Sequence, residues 1–206
     1  MDFDINSQMA TLLDRVQESL AKQGIPSRSA KARTWIQNKV KSLSSSRDSL
    51  MKDQGRLTNN VSIGKLYFFF YNPKLKDSLP YYDRFPLVIP IERYQDGFLG
   101  LNLHYIHPKQ RIILLDKLAS FANNKQFDET TKLRLTYQTI KSASRIFEAK
   151  PCIKRYLYPH LKSSILTIQP NEWEVATFLP MHQFQKAKPQ ASETALLSPI
   201  LLGHVG

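Results

Sequence analysis

Residues 63–106 constrain the fold of this chain most strongly, because their apolar runs have the lengths and spacing of β-strands. In residues 63–71 both alternating sets of side chains are apolar, which predicts a core strand covered on both faces. A second strand is predicted at residues 87–91. Pro90 places that strand at a sheet edge or at a strand end, since proline donates no hydrogen bond to a ladder.

The dipeptide Asp96-Gly97 predicts a tight hairpin, because this pair supplies the positive φ that such a turn needs. The hairpin leads into a third strand at residues 98–106, where apolar side chains alternate with Gly100, Asn102 and His104. These strands predict an α+β fold. We expect a small curved antiparallel β-sheet or an SH3-like, partly open barrel, surrounded by helices, with extended N- and C-terminal arms.

Helices are predicted on both sides of these strands. A 3.6-residue apolar period indicates one helix from a cap at Asn6 or Ser7 to Gly24, and a second at residues 29–43. Further helices are expected at residues 107–124, at 128–149 after a cap at Asp128, and at 170–180. Residues 164–169 are predicted to return to the sheet as a last strand.

The predicted organisation has three parts. Residues 1–60 form a helical N-terminal arm with a basic linker, residues 61–184 a central α+β domain, and residues 185–206 a C-terminal tail. The tail ends in the apolar run ALLSPILLG, which would be a liability in water. We therefore expect it to be a docking peptide whose protein-binding residues are Leu196, Leu197, Ile200 and Leu201.

The chain is strongly basic. Its formal net charge of +12 indicates an acidic partner, of which nucleic acid is the commonest. Charge alone does not separate DNA binding from docking onto an acidic protein. A first basic region, residues 28–56, is either a solvated helix face and linker or an arm that tracks phosphates.

A second basic region supplies the candidate nucleic-acid-binding residues. On the helix predicted at residues 128–149, Arg134, Lys141 and Arg145 fall on one face and form a stripe. Lys154 and Arg155 follow, interleaved with tyrosines, as on surfaces that contact phosphates and stack bases. The alternative is that these tyrosines anchor a short helix to its core. No helix is arranged to read bases.

The loop at residues 73–85 is long and rich in proline. One interpretation is an ordered loop that packs on the sheet; the other is a contact surface for a partner protein. The residues that suit the second interpretation are Tyr81, Tyr82, Arg84 and Phe85.

Catalytic patterns are missing from the sequence. Cys152 is the single cysteine, and His104 and His107 lie near no further group that would complete a metal shell. Asp83 and Glu92 are the only candidates for a nuclease, and they lack the accompanying ligand pattern. We expect no enzyme activity, cofactor, metal or small-molecule substrate.

We also expect no membrane partner and no export. Spanning a bilayer takes about 20 apolar residues, which no run approaches, and the first residues are acidic and polar rather than signal-like.

Several long segments resemble a virion protein family of T-even-like contractile-tailed bacteriophages (myoviruses, marine and cyanophage type), known as DNA end protector proteins. The matching segments lie within residues 47–184 and read RDSLMKDQGRL, IGKLYFFFYNPKLKDSLPYYDRFPLVIPIE, DGFLGLNLHYI, FDETTKLRLTYQTIKSAS, KPCIKRYLYPHLKSS and PNEWEVATFLP.

The resemblance implies a virion component at the head–tail connection that attaches to the ends of packaged double-stranded DNA and shields them from host exonuclease. It implies no catalytic residues. Its partners would be DNA ends, without sequence specificity, and other phage virion proteins. The same features suit a purely structural neck, tail or baseplate subunit that contacts only neighbouring virion proteins.

Overall fold

The computed structural model describes residues 12–42, 47–52, 54–122, 124–146 and 152–186. Within these residues the strands are β1 (Leu57–Thr58), β2 (Leu66–Phe68), β3 (Tyr81–Asp83), β4 (Leu87–Tyr94), β5 (Gly97–Asn102), β6 (Ile153–Leu157), β7 (Ile165–Ile168) and β8 (Phe184–Lys186). The α-helices of the same described part are α1 (Leu12–Lys22), α2 (Ala30–Ser42), α3 (Arg47–Leu50), α4 (Pro108–Ala122), α5 (Glu129–Ile146) and α6 (Trp173–Phe178).

Six of the strands form one antiparallel sheet in the order β1-β7-β2-β4-β5-β6, and β3 pairs separately with β8. The α+β class is therefore confirmed. The sheet ends at β1 and β6 and is not closed into a barrel, so the SH3-like alternative finds no support.

Strand β2 lies at the centre of the core, as predicted. Leu66 and Phe68 are buried in the cluster that the helices cover, whereas Tyr67 and Phe69 are buried in a second cluster on the other face. The strand is shorter than residues 63–71 because only Leu66–Phe68 pair with β4 and β7. Coverage on both faces explains its unbroken apolar sequence.

The prediction for Pro90 is wrong, because β4 is an interior strand that pairs with both β2 and β5. The Pro90 carbonyl accepts a hydrogen bond of 3.0 Å from Gly64 N, in the turn before β2. The backbone N and O of one strand residue point to the same side of the strand. The side on which Pro90 lacks an N–H is therefore next to this turn and not next to β2, so no hydrogen bond of the β2 ladder is lost. A register shift follows between Pro90 and Glu92.

The hairpin between β4 and β5 lies where Asp96-Gly97 predicted it, with Tyr94 opposite Gly97. The reason for glycine differs from the expected one, since Gly97 does not have a positive φ. A Cβ at this position would lie 2.0 Å from the Tyr156 carbonyl oxygen of β6. Glycine is therefore required by the close approach of β6.

Most predicted helices are found. Helix α4 begins at Pro108, and α5 follows a cap in which Thr131 N donates to Asp128 Oδ1 at 2.6 Å. The last predicted strand and helix correspond to β7 and α6. Residues 153–157, for which a short helix was the alternative, form strand β6 instead.

The helices of the predicted N-terminal arm contribute to the same core as the sheet. Leu13, Val16 and Leu20 of α1, and Ile36 of α2, are buried in the cluster that also contains Trp173 of α6. The apolar stripe of α1 is thus covered within this chain.

Candidate nucleic-acid interface

A groove with a volume of about 350 Å³ lies along β6, between this edge of the sheet and the segment that leads into β3. It brings together two regions that the sequence suggested separately, the Lys154–Arg155 pair and the loop at residues 73–85. Its lining residues are Tyr71, Pro73, Lys74, Leu75, Leu79, Tyr81, Tyr82, Asp83, Asn102, Tyr105, Lys154, Arg155, Tyr156 and Leu157.

The edge of β6 is held by Tyr71. Leu157 N donates to the Tyr71 hydroxyl at 3.1 Å, which satisfies a backbone group that a sheet edge would otherwise leave unpaired. Tyr71 also packs edge-on against Tyr156, with ring centroids 4.9 Å apart. The wall of the groove is therefore fixed by the sheet itself.

Lys154 and Arg155 point to opposite sides of β6, as neighbouring strand residues do. The Lys154 ammonium lies 4.6 Å from the centroid of the Tyr105 ring, and the Arg155 guanidinium lies 3.6 Å from that of Tyr94. Partial burial lowers the pKa of Lys154. An anion in the groove would offset this effect because it favours the charged ammonium.

Arg155 also forms an ion pair with Asp96 in the β4–β5 hairpin. The side chains of Arg155 and Asp96 are 35% and 65% exposed. Exposed pairs of this kind contribute at most about 1 kcal/mol. A phosphate can therefore compete with Asp96 for the guanidinium.

Aromatic rings form the other wall of the groove. Tyr81 and Tyr105 are stacked, with centroids 5.8 Å apart and planes at 22°. Phe184 of β8 packs edge-on against Tyr105, with centroids 5.0 Å apart. Tyr81 remains 47% exposed, so part of this aromatic cluster faces solvent.

Beneath the groove, the Asp83 carboxylate is fully engaged inside the protein. Oδ1 accepts from the backbone N of Phe85 at 3.1 Å and of Gln183 at 3.0 Å. Oδ2 lies 3.3 Å from Asn102 Nδ2 and 2.6 Å from His104 Nδ1. Burial opposes ionisation of Asp83, but the bonds to His104 and to the backbone lower its pKa.

His104 is the neutral partner of this carboxylate. Burial lowers the pKa of His104, and within the described residues its Nε2 atom is buried without a hydrogen-bond partner. The neutral tautomer with a proton on Nδ1 donates to Asp83 and leaves no buried N–H unpaired. Asp83 and His104 therefore tie β3 to the end of β5 and offer the groove no free acid.

The structure gives the predicted nucleic-acid-binding residues different surroundings. Arg134 is exposed on α5, Arg155 is exposed on β6, and Lys154 is half-buried. The side chains of Lys141 and Arg145 lie outside what the structure describes, so the stripe on this helix stays a prediction.

The predicted protein-binding residues also divide. Tyr81 and Arg84 are exposed and Tyr82 is half-buried, with its hydroxyl donating to Gln185 Oε1 at 2.9 Å. Phe85 is fully buried and stacks on Phe68, with centroids 5.1 Å apart. It therefore belongs to the core and not to an exposed contact surface. Leu196, Leu197, Ile200 and Leu201 lie outside the described residues.

Part of the first basic region is used inside the protein. Arg33 pairs with Asp116 and Glu174, and Arg56 Nη1 lies 2.6 Å from Oε1 of the buried Glu172. Arg47 donates to the carbonyls of Met181 and His182 at 2.8 and 2.9 Å. These arginines hold the N-terminal segment against α6 and the residues that follow it.

Among the described residues no group of three or more His, Cys, Asp and Glu side chains is arranged to hold a metal ion. Asp83 is buried, whereas Glu92 is exposed beyond the bulge of β4. The described helices include none that is long and apolar enough to cross a membrane.

Fold and groove together define the class: a basic α+β protein whose antiparallel sheet carries aromatic and cationic side chains along one edge. The chain matches the family model of the phage T4 terminal DNA protecting protein over residues 5–198. It belongs to this family, which confirms the resemblance noted from the sequence. No curated protein and no solved structure matches it.

Proposed function

We propose that this protein binds the ends of phage DNA without reading their sequence and shields them from host exonuclease. In this proposal it is a virion component, located at the head–tail connection, and it acts by occupancy rather than by catalysis. The observation that carries the proposal is the groove in which Lys154 meets a cluster of tyrosines, with Arg155 on the other side of the same strand, in a chain of a terminal DNA protecting family.

The charge of the groove suits DNA. Among the described residues that line it, Lys74 and Lys154 are the cations that face the groove and Asp83 is the only carboxylate, and Arg155 adds a positive charge on the other side of β6. Asp83 is engaged with four internal donors, and its single negative charge is outweighed by the two lysines, so the groove is net positive. Lysine and arginine contacts to phosphates release counterions, so binding would weaken steeply as salt rises.

The aromatic walls suit binding without base readout. Every base has a π-face, and stacking on tyrosine is therefore tolerant of sequence. The hydroxyls of Tyr71 and Tyr82 are already engaged with Leu157 N and Gln185. The groove thus offers ring faces rather than a set of hydrogen-bonding groups that could discriminate bases.

The test is a salt titration of binding to blunt-ended linear DNA and to the same DNA as a closed circle. We expect preference for the linear form and an affinity that falls steeply with salt. The double variant Lys154→Glu/Arg155→Glu should lose most of the preference. The matched control is Arg15→Glu/Lys22→Glu, which makes the same charge change at exposed positions of α1.

Equal binding to both DNA forms, or no binding at low salt, would overturn the proposal. The second candidate, a structural neck, tail or baseplate subunit, would then gain support. The exposed aromatic side chains of Tyr81 and Phe184 favour that candidate, since such residues are enriched at protein interfaces.

A further inference from the structure

The size of the groove restricts what part of a DNA end it can hold. Its volume of about 350 Å³ lies at the lower limit of ligand pockets, which run from roughly 300 to 1,000 Å³. This is room for one base-sized group and not for a base pair with its backbones. An intact duplex can touch the rim, but it cannot fill the space between β6 and Tyr81.

The groove has an apolar part and a cationic part, which match the base and the phosphate of a single nucleotide. Its floor and one wall are aromatic and aliphatic, with the stacked rings of Tyr81 and Tyr105 beside Leu75 and Leu79. Its cations are Lys154 of β6 and Lys74, while the Arg155 guanidinium lies on the opposite side of the same strand. A base would lie against the rings while its phosphate pairs with the cations.

We propose that the groove receives an unpaired terminal nucleotide, so that the preferred ligand is a DNA end with a frayed or single-stranded terminus. This inference rests on the proposed function and names the ligand of the same site. It also accounts for end preference: an internal base is stacked on both sides and paired, and it enters such a pocket only at the cost of flipping. A terminal base is unstacked on one side and frays readily.

The experiment compares four DNA ligands that share one duplex, by fluorescence anisotropy at fixed salt. One is closed at both ends by hairpins; the others have one open end that is blunt, carries a three-nucleotide 5′ overhang, or carries a three-nucleotide 3′ overhang. We expect at least one overhang to bind about tenfold more tightly than the blunt end, the scale of one stacked base. The closed DNA should bind most weakly.

Tyr81→Ala tests whether this preference comes from the groove. Tyr81 is 47% exposed, so its truncation should leave the fold intact, and circular dichroism checks that it does. The variant should bind overhang and blunt ends alike. Tyr81→Phe, which keeps the ring, should retain the preference, as should Ile113→Ala, which truncates an exposed apolar residue on α4.

The outcomes separate this inference from the proposed function. If open ends bind more tightly than closed DNA but blunt and overhanging ends bind equally, end binding stands and the unpaired-nucleotide inference is overturned. An overhang preference that survives Tyr81→Ala also overturns it, because the base then lies elsewhere. If all four ligands bind equally, the proposed function fails and this inference fails with it.

Discussion

At the scale of single residues, Arg155 is the cation of β6 that is most open to solvent. Its guanidinium lies over the Tyr94 ring and pairs with Asp96. Both side chains of the ion pair are partly exposed, so the pair is weak and is open to competition from an anion. A phosphate can therefore reach the Arg155 guanidinium, but it has to displace Asp96.

Asp96→Asn should strengthen DNA binding. Asparagine before glycine keeps the turn chemistry of the β4–β5 hairpin, while the substitution removes the carboxylate that competes with phosphate for Arg155. We expect the dissociation constant for open-ended DNA to fall by about threefold at low salt, as the removal of one repulsive charge allows. Unchanged affinity in the salt titration would show that Arg155 does not contact DNA.

The buried pair of Asp83 and His104 predicts a pH dependence of stability. Because burial lowers the pKa of His104 in the folded protein, unfolding is accompanied by proton uptake when the pH is below the ordinary histidine value of about 6.5. The contribution of His104 to the free energy of unfolding is full above that pH and is lost as the pH falls toward the folded-state pKa. Arg111 and His182 face the same imidazole and favour its neutral form.

His104→Gln should therefore flatten the pH profile, because glutamine can donate to Asp83 but does not titrate. We expect the thermal midpoint of the unchanged protein to fall between pH 7.5 and 5.5 and that of the variant to fall less. His182→Gln, at an exposed position beside the same ring, removes only one neighbour of the imidazole and should keep most of the slope that His104→Gln loses. A profile for His104→Gln that follows the unchanged protein would contradict the assigned neutral state.

At the scale of elements, the N-terminal helices are held by arginines to the segment around α6. The Arg56 guanidinium reaches both carboxylate oxygens of Glu172, whose side chain is fully buried. Glu172 also accepts from Gln169 N at 2.9 Å. This ion pair connects the segment before β1 with the turn that opens α6.

Glu172→Ala should destabilise the protein by about 3 kcal/mol, because it leaves the Arg56 guanidinium partly buried without its carboxylate and removes an acceptor. Denaturant unfolding measures the difference. Glu129→Ala, which removes an exposed partner of Lys132 on α5, should give a much smaller change. Equal effects of the two substitutions would show that burial does not distinguish these ion pairs.

The elements that the sequence predicts well are those with a pattern of their own. Helices α4 and α5 have apolar periods and recognisable starts at Pro108 and Asp128, and β2 has apolar side chains on both faces. Strand β8 escaped prediction because Phe184–Lys186 has no pattern and becomes a strand only by pairing with β3. The prediction for Pro90 is wrong because that side of β4 bonds to Gly64, in a turn that is distant in sequence.

The sequence predicts several residues of the candidate site but not the groove that they share. The sequence favours Lys154 and Arg155 for DNA and Tyr81 and Tyr82 for a protein partner, on separate segments. Their shared groove depends on β6 pairing with β5 and on β3 pairing with β8, and no local pattern reveals such contacts. The interleaving of basic and aromatic residues indicates a binding surface, but the sequence does not show which strands pair to form the groove.

For the whole molecule, net charge does not show where a partner binds. The formal charge of +12 already offsets the acids that pair with Arg33 and Arg56, so it describes the whole chain rather than one surface. The charge along β6 is small, but it lies beside aromatic rings. In the proposed function, protection of an end thus depends on a local arrangement rather than on a general attraction to DNA.

An exonuclease protection assay tests this account most directly. Linear DNA is incubated with increasing protein and then with an exonuclease that requires an open end, and the surviving full-length fraction is measured. The account predicts protection at concentrations near one protein per end, retained by Arg15→Glu/Lys22→Glu and lost by Lys154→Glu/Arg155→Glu. Protection that appears only when the whole duplex is coated, or that the β6 double variant retains, would contradict it.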